Sequence, residues 1–344
     1  MSLAPWTITT RSELESEMAP IRLGILGAGI MGERLLRAAV EHAGDSVTVT
    51  GLWDPSEAAM ARIGAALPNV PRIASADQVI EACDCLYIAS PPASHLDHAQ
   101  RALAAGRAVF CEKPLAVDVQ RARAFVAAAR GARAAVNFPM ASAFAVDQLR
   151  AWIAQGAVGT PRTLDIEVAF ATWPRGWQRD AAGWLDRPEQ GGFTREVVSH
   201  FLFLTGRLAG PFTLHERFAS FPEAGRGERA IRARLTAGGL PVTLTGSVGT
   251  TPKDDHNTWT LQGSAGAIRL RDWSTAERLM PDGSWQQEVQ TMSHEAMRPL
   301  VLRRQLEGVA AMTRGEAHSL ATLGEALAVQ ETVEAILGQS PVSL

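Results

Sequence analysis

Short apolar segments alternate with amphipathic segments over residues 20–138. The apolar runs are rich in Ile, Val, Leu and Ala and cover residues 21–26, 47–53, 85–89, 108–111 and 134–137. Stretches of about ten residues with helical spacing of apolar positions lie between most of them. Strands that alternate with helices in this way predict a doubly wound parallel sheet with right-handed crossovers.

The pattern changes after a predicted helix at 143–155. Alternation with period two begins at 163–170 and recurs in parts of 211–218, 230–235, 241–248, 258–261 and 267–270. Glycine-containing turns separate several of these segments, which predicts a largely antiparallel sheet. Helical spacing returns at 195–204, 295–312 and 322–337. The C-terminal part is therefore predicted to be a second α/β unit with its own sheet.

A glycine pattern joins the first strand to the first helix. Residues 27–32 read GAGIMG, a G-x-G-x-x-G in which Gly27 permits a tight turn and Gly29 lets phosphates approach the backbone. Gly32 allows helix and strand to pack closely, and the free N–H groups of the helix start suit a pyrophosphate. Asp54 ends the second strand about twenty residues later, where a carboxylate binds the adenosine ribose hydroxyls. No Arg follows Asp54 directly, which favours NAD over NADP; a helix N-cap or turn role is the alternative.

These patterns predict a Rossmann dinucleotide-binding domain at 20–138 and a second α/β domain at 139–344. Residues 1–19 are predicted to be an N-terminal extension, either a dispensable arm or a tether anchored by Trp6. The chain has 344 residues and a formal net charge of -3, so neither nucleic acid nor a membrane surface is an expected partner. No apolar run could span a bilayer. Three cysteines (Cys83, Cys85, Cys111) and the absence of a signal-peptide pattern favour a reducing cytoplasm, and their spacing predicts no metal site.

Two segments could carry chemistry. Lys113 follows a buried strand, between Glu112 and Pro114, and would point into the crevice at the carboxyl end of the sheet. A lysine there can exchange a proton with a substrate oxygen; a surface lysine is the alternative. Glu196 and His200 lie four apart on a predicted helix, so the carboxylate could orient the imidazole and raise its basicity. A solvent-exposed Glu–His pair is the alternative.

Taken together, the motifs are similar to those of a known family. They are GAGIMG at 27–32, Asp54, ASPPASH at 89–95, CEKP at 111–114, GGFTREVVSH at 191–200 and DHNTWTLQGSAGAIRL at 255–270. In these segments the chain resembles the Gfo/Idh/MocA oxidoreductases, the glucose–fructose oxidoreductase and inositol dehydrogenase family, from about residue 20 onward.

The resemblance implies a nicotinamide cofactor, NAD with NADP as the alternative, and a sugar, inositol or polyol substrate. It implies that Lys113 is catalytic together with His200 and Glu196, that the Lys113–Pro114 peptide is cis, and that the open C-terminal sheet forms a homodimer or homotetramer. Motif and resemblance together assign cofactor contacts to Gly27, Gly29, Ile30, Met31, Gly32, Asp54, Ser90, Pro91, His95, Glu112 and Asn137.

The second family motif departs from its usual D-x-G-x-H form, because Glu196 stands for Asp and Val198 for Gly. The leading hypothesis is hydride transfer between nicotinamide and a hydroxyl or carbonyl carbon of a sugar, polyol or sugar derivative. A non-catalytic ligand sensor is one alternative. Reduction of an imine, enone or tetrapyrrole is another, since Trp173, Trp177 and Trp184 could stack on a flat ligand or instead form a lid or interface.

Overall fold

The computed structural model of the chain describes residues 19–253, 255–288 and 294–338. The predicted N-terminal extension, apart from Ala19, lies outside the described residues. None of the helices in the described ranges is both long and apolar enough to cross a membrane.

The first sheet has six strands in the order β14-β5-β4-β3-β1-β2. Its five parallel strands are β1 Ile21–Leu26, β2 Val47–Trp53, β3 Cys85–Ile88, β4 Ala108–Glu112 and β5 Ala134–Asn137. Helices cover both faces, which explains why β3 and β4 are buried at every position. The doubly wound parallel sheet predicted from the alternation is confirmed.

Five helices connect these strands: α1 Ile30–His42, α2 Glu57–Ala66, α3 Ala76–Ala82, α4 His95–Ala104 and α5 Val119–Ala128. Three of them have an N-cap residue whose side chain accepts a hydrogen bond from a backbone N–H of the first turn. These residues are Ser56, Ser75 and Asp118. By contrast, α1 begins at Gly29 without a side-chain cap. Its first N–H groups therefore face the carboxyl end of the sheet unpaired by any side chain.

A second sheet of eight strands follows helix α6 Phe144–Ala154, in the order β13-β12-β11-β10-β6-β9-β8-β7. Its strands are β6 Pro161–Phe170, β7 Phe212–Ser220, β8 Ala230–Ala237, β9 Leu240–Val248, β10 His256–Gly263, β11 Ala267–Arg271, β12 Thr275–Leu279 and β13 Trp285–Gln287. Every pairing is antiparallel except β6 with β9. The largely antiparallel sheet is confirmed, and burial alternates along β8 because one face packs on helices.

The remaining helices are α7 Ala182–Leu185, α8 Ser199–Ala209, α9 His294–Arg314 and α10 Leu323–Leu337. The C-terminal segment returns to the first sheet: α9 packs on α1, and β14 Ala321–Thr322 pairs antiparallel with β5. The division at residue 138 stays a prediction, because the C-terminal segment adds a strand and a helix to the first sheet.

Candidate functional site

The glycine turn is tight at both ends and open in the middle. Gly27 has φ +105°, and a Cβ there would lie 2.5 Å from the Ala89 carbonyl oxygen. A Cβ on Gly32 would lie 1.9 Å from the Gly27 carbonyl oxygen, whereas one on Gly29 would meet nothing within 4 Å. The open position and the uncapped start of α1 fit the pyrophosphate of a dinucleotide.

Asp54 connects the end of β2 to this turn. One carboxylate oxygen accepts the Ala28 N–H at 2.7 Å, and the other accepts the Ser56 N–H at 2.8 Å. The N-cap of α2 is Ser56 rather than Asp54. Asp54 is partly exposed, and each of its oxygens keeps a lone pair for a ribose hydroxyl. Arg62 on α2 donates to the Ala28 carbonyl at 2.7 Å, so an arginine does stand beside the turn although none follows Asp54 in sequence.

Two residues predicted to contact the cofactor, His95 and Asn137, have hydrogen-bond partners within the protein. The ring nitrogens of His95 lie 2.8 Å from the Pro114 carbonyl oxygen and 2.7 Å from the Ser90 carbonyl oxygen. The ring is buried, and burial lowers its pKa. His95 therefore joins the loop after β3 to the loop after β4, and its contact with the cofactor stays a prediction. In that role it positions Pro114 next to Lys113.

Asn137 also supports a neighbour rather than offering a free amide group. Its Nδ2 donates to Glu112 Oε1 at 2.6 Å, and its Oδ1 accepts from Gln305 Nε2. The Tyr87 hydroxyl donates to the same Glu112 oxygen at 2.5 Å. Burial raises the pKa of Glu112, and the Tyr87 and Asn137 donors oppose that rise. The network holds Glu112, the residue before Lys113, in one orientation, and a direct contact from Asn137 to the cofactor stays a prediction.

Lys113 lies at the carboxyl end of β4 and reaches across to the second domain. Its Nζ forms an ion pair with Glu196 Oε2 at 2.8 Å and donates to the Glu196 carbonyl oxygen at 3.3 Å. The two side chains are only 10% and 12% exposed. The Lys113–Pro114 peptide is cis, as the resemblance implies. Lys113 is thus a buried cation held at the crevice, and the surface alternative does not apply.

The expected Glu196–His200 pair does not form. Thr194–Val198 is a π-helical turn ahead of α8, and it directs the Glu196 carboxylate to Lys113. His200 is 8% exposed, and its Nδ1 has no hydrogen-bond partner among the described residues. Burial, followed by the positive charges of Lys113 and Arg175, holds the pKa of His200 well below its usual value. The prediction that Glu196 raises the basicity of His200 is therefore wrong, and the imidazole is neutral.

The tryptophan-rich loop after β6 divides into a core part and an exposed part. Trp173 is buried against Phe170 and Phe193. Trp177 is 49% exposed, and the Arg175 guanidinium lies 4.8 Å from its ring centre. The same arginine donates to Gln178 and pairs with Asp255.

Comparisons with known proteins agree with this geometry. Residues 21–138 match the model of GFO_IDH_MocA, described as an oxidoreductase family with an NAD-binding Rossmann fold. The resemblance found in the motifs is confirmed there, and so is the prediction of an NAD-binding domain.

Beyond these residues the similarity to named relatives is partial. The chain is 29% identical to a 1,5-anhydro-D-fructose reductase from Ensifer adhaerens over 180 residues, 50% of this chain and 51% of that protein. It is 32% identical to inositol 2-dehydrogenase 3 from Saccharopolyspora erythraea over 150 residues, 41% and 43% of the two chains. The chain thus spans about half the length of the curated relatives it matches.

The fold similarity covers nearly the whole chain. An inositol dehydrogenase homologue from Azotobacter vinelandii, solved with NAD+, superposes with a TM-score of 0.76 at 18% identity, over 93% of this chain and 95% of that one. Both sheets therefore share the fold of that structure.

Sequence reasoning missed four residues near the carboxyl end of the first sheet: Arg34, Arg62, Tyr87 and Gln305. Tyr87 had a signal, since it is the only tyrosine in the chain and lies inside an otherwise apolar strand. Gln305 lies on α9, which returns to the first domain from far along the chain, so no local pattern marks it. No cluster of three or more metal-ligating side chains occurs among the described residues.

Proposed function

We propose that this chain is a nicotinamide-dependent oxidoreductase that transfers hydride to or from a hydroxyl-bearing or carbonyl carbon of a sugar, polyol or sugar derivative. The observation that carries the proposal is the buried Lys113–Glu196 ion pair beside a neutral His200, at the carboxyl end of an NAD-binding sheet. The named partial relatives, a reductase of anhydrofructose and an inositol dehydrogenase, support the substrate class.

The cofactor, when bound, supplies or accepts the hydride. Lys113 Nζ handles the proton: in its ammonium form it donates a proton to the carbonyl oxygen during reduction and becomes the neutral amine, and in its neutral form it accepts the hydroxyl proton during oxidation and becomes the ammonium again. Glu196 holds Nζ from two sides, through its carboxylate and its carbonyl oxygen. His200 is neutral, so its imidazole can make a hydrogen bond to a substrate hydroxyl without adding a second positive charge. The side chains thus orient one carbon–oxygen bond for reaction.

We assign cofactor binding to the open glycine turn and the strand ends around it. Gly27, Gly29, Ile30, Met31 and Gly32 form the turn, and Asp54 faces the adenosine ribose. Ser90, Pro91 and Glu112 line the path towards Lys113. The Asp54 carboxylate would repel a 2′-phosphate, which favours NAD, whereas Arg62 is the residue that would attract one.

A purified-protein assay tests this function. NAD+ and NADP+ are each offered with a panel of hexoses, inositols and linear polyols, and formation of the reduced nicotinamide is followed by absorbance. We expect saturable turnover with at least one polyhydroxy compound and preference for NAD+. Cofactor binding without any turnover in either direction would instead indicate a ligand sensor. Reduction of enones, imines or tetrapyrroles alone would contradict the sugar or polyol assignment.

We further propose that the chain forms a homo-oligomer through its open C-terminal sheet. Phe218 on the edge strand β7 is largely exposed, which a buried contact between sheets would explain. Light scattering on the purified chain and on Phe218→Lys tests this proposal, with loss of the dimer or tetramer expected in the variant.

A further inference from the structure

Two arginines from different domains converge on one indole ring. The Arg34 guanidinium, from the N-terminal part of α1, lies 5.5 Å from the centre of the Trp177 ring. The Arg175 guanidinium, from the loop after β6, lies 4.8 Å from the same ring centre. Each position is favourable for a cation over an aromatic face. However, two like charges held at one ring repel each other unless an anion joins them.

Among the described residues, none of the local carboxylates pairs with Arg34. Arg175 pairs with Asp255 through its Nη1, at 2.9 and 3.1 Å from the two carboxylate oxygens, and Lys113 is balanced by Glu196. Arg34 forms no ion pair within the described part of the chain, and its Nη1 donates to the Met31 sulfur at 3.7 Å. Burial and the positive charges of neighbouring arginines lower the pKa of Arg34. A half-buried cation of this kind is stabilised when an anion binds beside it.

The position of Arg34 favours the substrate end of the crevice over the pyrophosphate end. The negatively charged or polar groups that act on it are Glu112 and Tyr87, which lie at the Lys113 side of the sheet. Its aromatic neighbour, Trp177, comes from the second domain. The pyrophosphate already has the open glycine turn and the uncapped start of α1.

We propose that Arg34 and Arg175 bind a carboxylate of the substrate, which makes the preferred substrate a polyhydroxy acid, such as a sugar acid, rather than a neutral sugar. This inference rests on the proposed function. Lys113 and His200 handle the reacting hydroxyl at one end of the substrate, and the arginine pair beside Trp177 holds the carboxylate at the other. Arginine suits this task because its planar guanidinium donates two parallel hydrogen bonds to a carboxylate.

Matched ligand pairs test the proposal without requiring turnover. Hexuronates and the corresponding hexoses differ only in a carboxylate or a hydroxymethyl group at C6. Each is titrated by calorimetry into the full chain saturated with NADH, where a hydroxyl substrate cannot react. We expect at least one hexuronate to bind more tightly than its hexose by roughly ten- to a hundredfold, the range for a charge-assisted hydrogen bond.

The variant Arg34→Gln is expected to remove most of this preference while changing hexose affinity little. Arg37→Gln is the matched control, because Arg37 lies on the same helix but pairs with Glu33 and Glu41. Arg175 is buried, so it is replaced by lysine and not by a shorter, neutral residue. Arg175→Lys keeps the positive charge but loses the planar guanidinium, and it should weaken the acid preference partially.

The NADH affinity of each variant shows whether Arg34 binds the cofactor pyrophosphate or the substrate carboxylate. If Arg34→Gln weakens NADH by about tenfold or more and leaves the acid preference intact, Arg34 serves the pyrophosphate and the proposal is overturned. It is also overturned if no hexuronate binds more tightly than its hexose. Arg34-dependent binding of an acid with no hydride transfer to NAD+ would support the carboxylate site and refute the proposed function. Turnover of neutral sugars without any acid preference would support the proposed function and refute the carboxylate site.

Discussion

Replacing Lys113 by methionine should separate catalysis from cofactor binding. The substitution keeps the length of the side chain and removes the group that exchanges the proton. Positioned acid–base groups contribute about 10²- to 10⁴-fold to rate, so kcat should fall by that range. NADH affinity should stay close to that of the unmodified chain, because the glycine turn makes no contact with Lys113 Nζ in the described residues.

The same change should also destabilise the fold by a predictable amount. Lys113 and Glu196 are both nearly buried, so Lys113→Met leaves a carboxylate without its partner. Removing one member of a buried pair costs about 3–5 kcal/mol in the free energy of unfolding. Adding Glu196→Gln removes the stranded charge, so the double variant should recover much of this stability and none of the activity.

The assay combines steady-state absorbance of reduced nicotinamide, NADH titration by fluorescence and urea unfolding. Lys253→Met is the matched control, since Lys253 is the only other lysine in the chain and is exposed. Turnover of Lys113→Met within about threefold of the unmodified chain would refute the proton-transfer role, because acid–base loss is far larger. Recovered turnover in the double variant would show that the single variant failed through misfolding.

Three further predictions concern the glycine turn, a buried ion pair and pH. Gly29→Ala should weaken NADH binding with little loss of stability. Gly32→Ala should weaken NADH binding and also lower stability, because only its Cβ would meet the backbone, at 1.9 Å. NADH titration and thermal melting of the two variants test this difference. Glu334→Gln should cost about 3–5 kcal/mol in urea unfolding, since Arg195 donates to both Glu334 oxygens in a buried site, at 2.6 and 2.7 Å. The native pKa of His200 is depressed, so the unfolded chain takes up a proton below pH about 6.5 that the native state does not. Unfolding free energy should therefore fall as pH drops from 7 to 5, and His200→Gln should make the fall shallower; an unchanged slope would contradict the assignment.

The sequence alone determined the local architecture. Period-two and helical spacing marked most strands of both sheets, because side-chain burial follows the same periods as the backbone. The short strands β12, β13 and β14 were not predicted. The glycine turn was readable because φ above zero at Gly27 and the close packing at Gly32 need a residue without Cβ. Lys113 stood out because it ends a buried strand, where ligands meet a parallel sheet.

Only the tertiary structure decided which partner each polar group takes. Glu196 lies 83 residues from Lys113, and a π-helical turn sends its carboxylate there instead of to His200. Helical spacing assumes a regular helix, so it could not show that turn. The Glu112 network needs Gln305 from α9, and the arginine pair needs Trp177 from the second domain. Such contacts join residues that are distant in sequence. The burial that lowers the pKa of His200 and raises the pKa of Glu112 exists only once both sheets have packed.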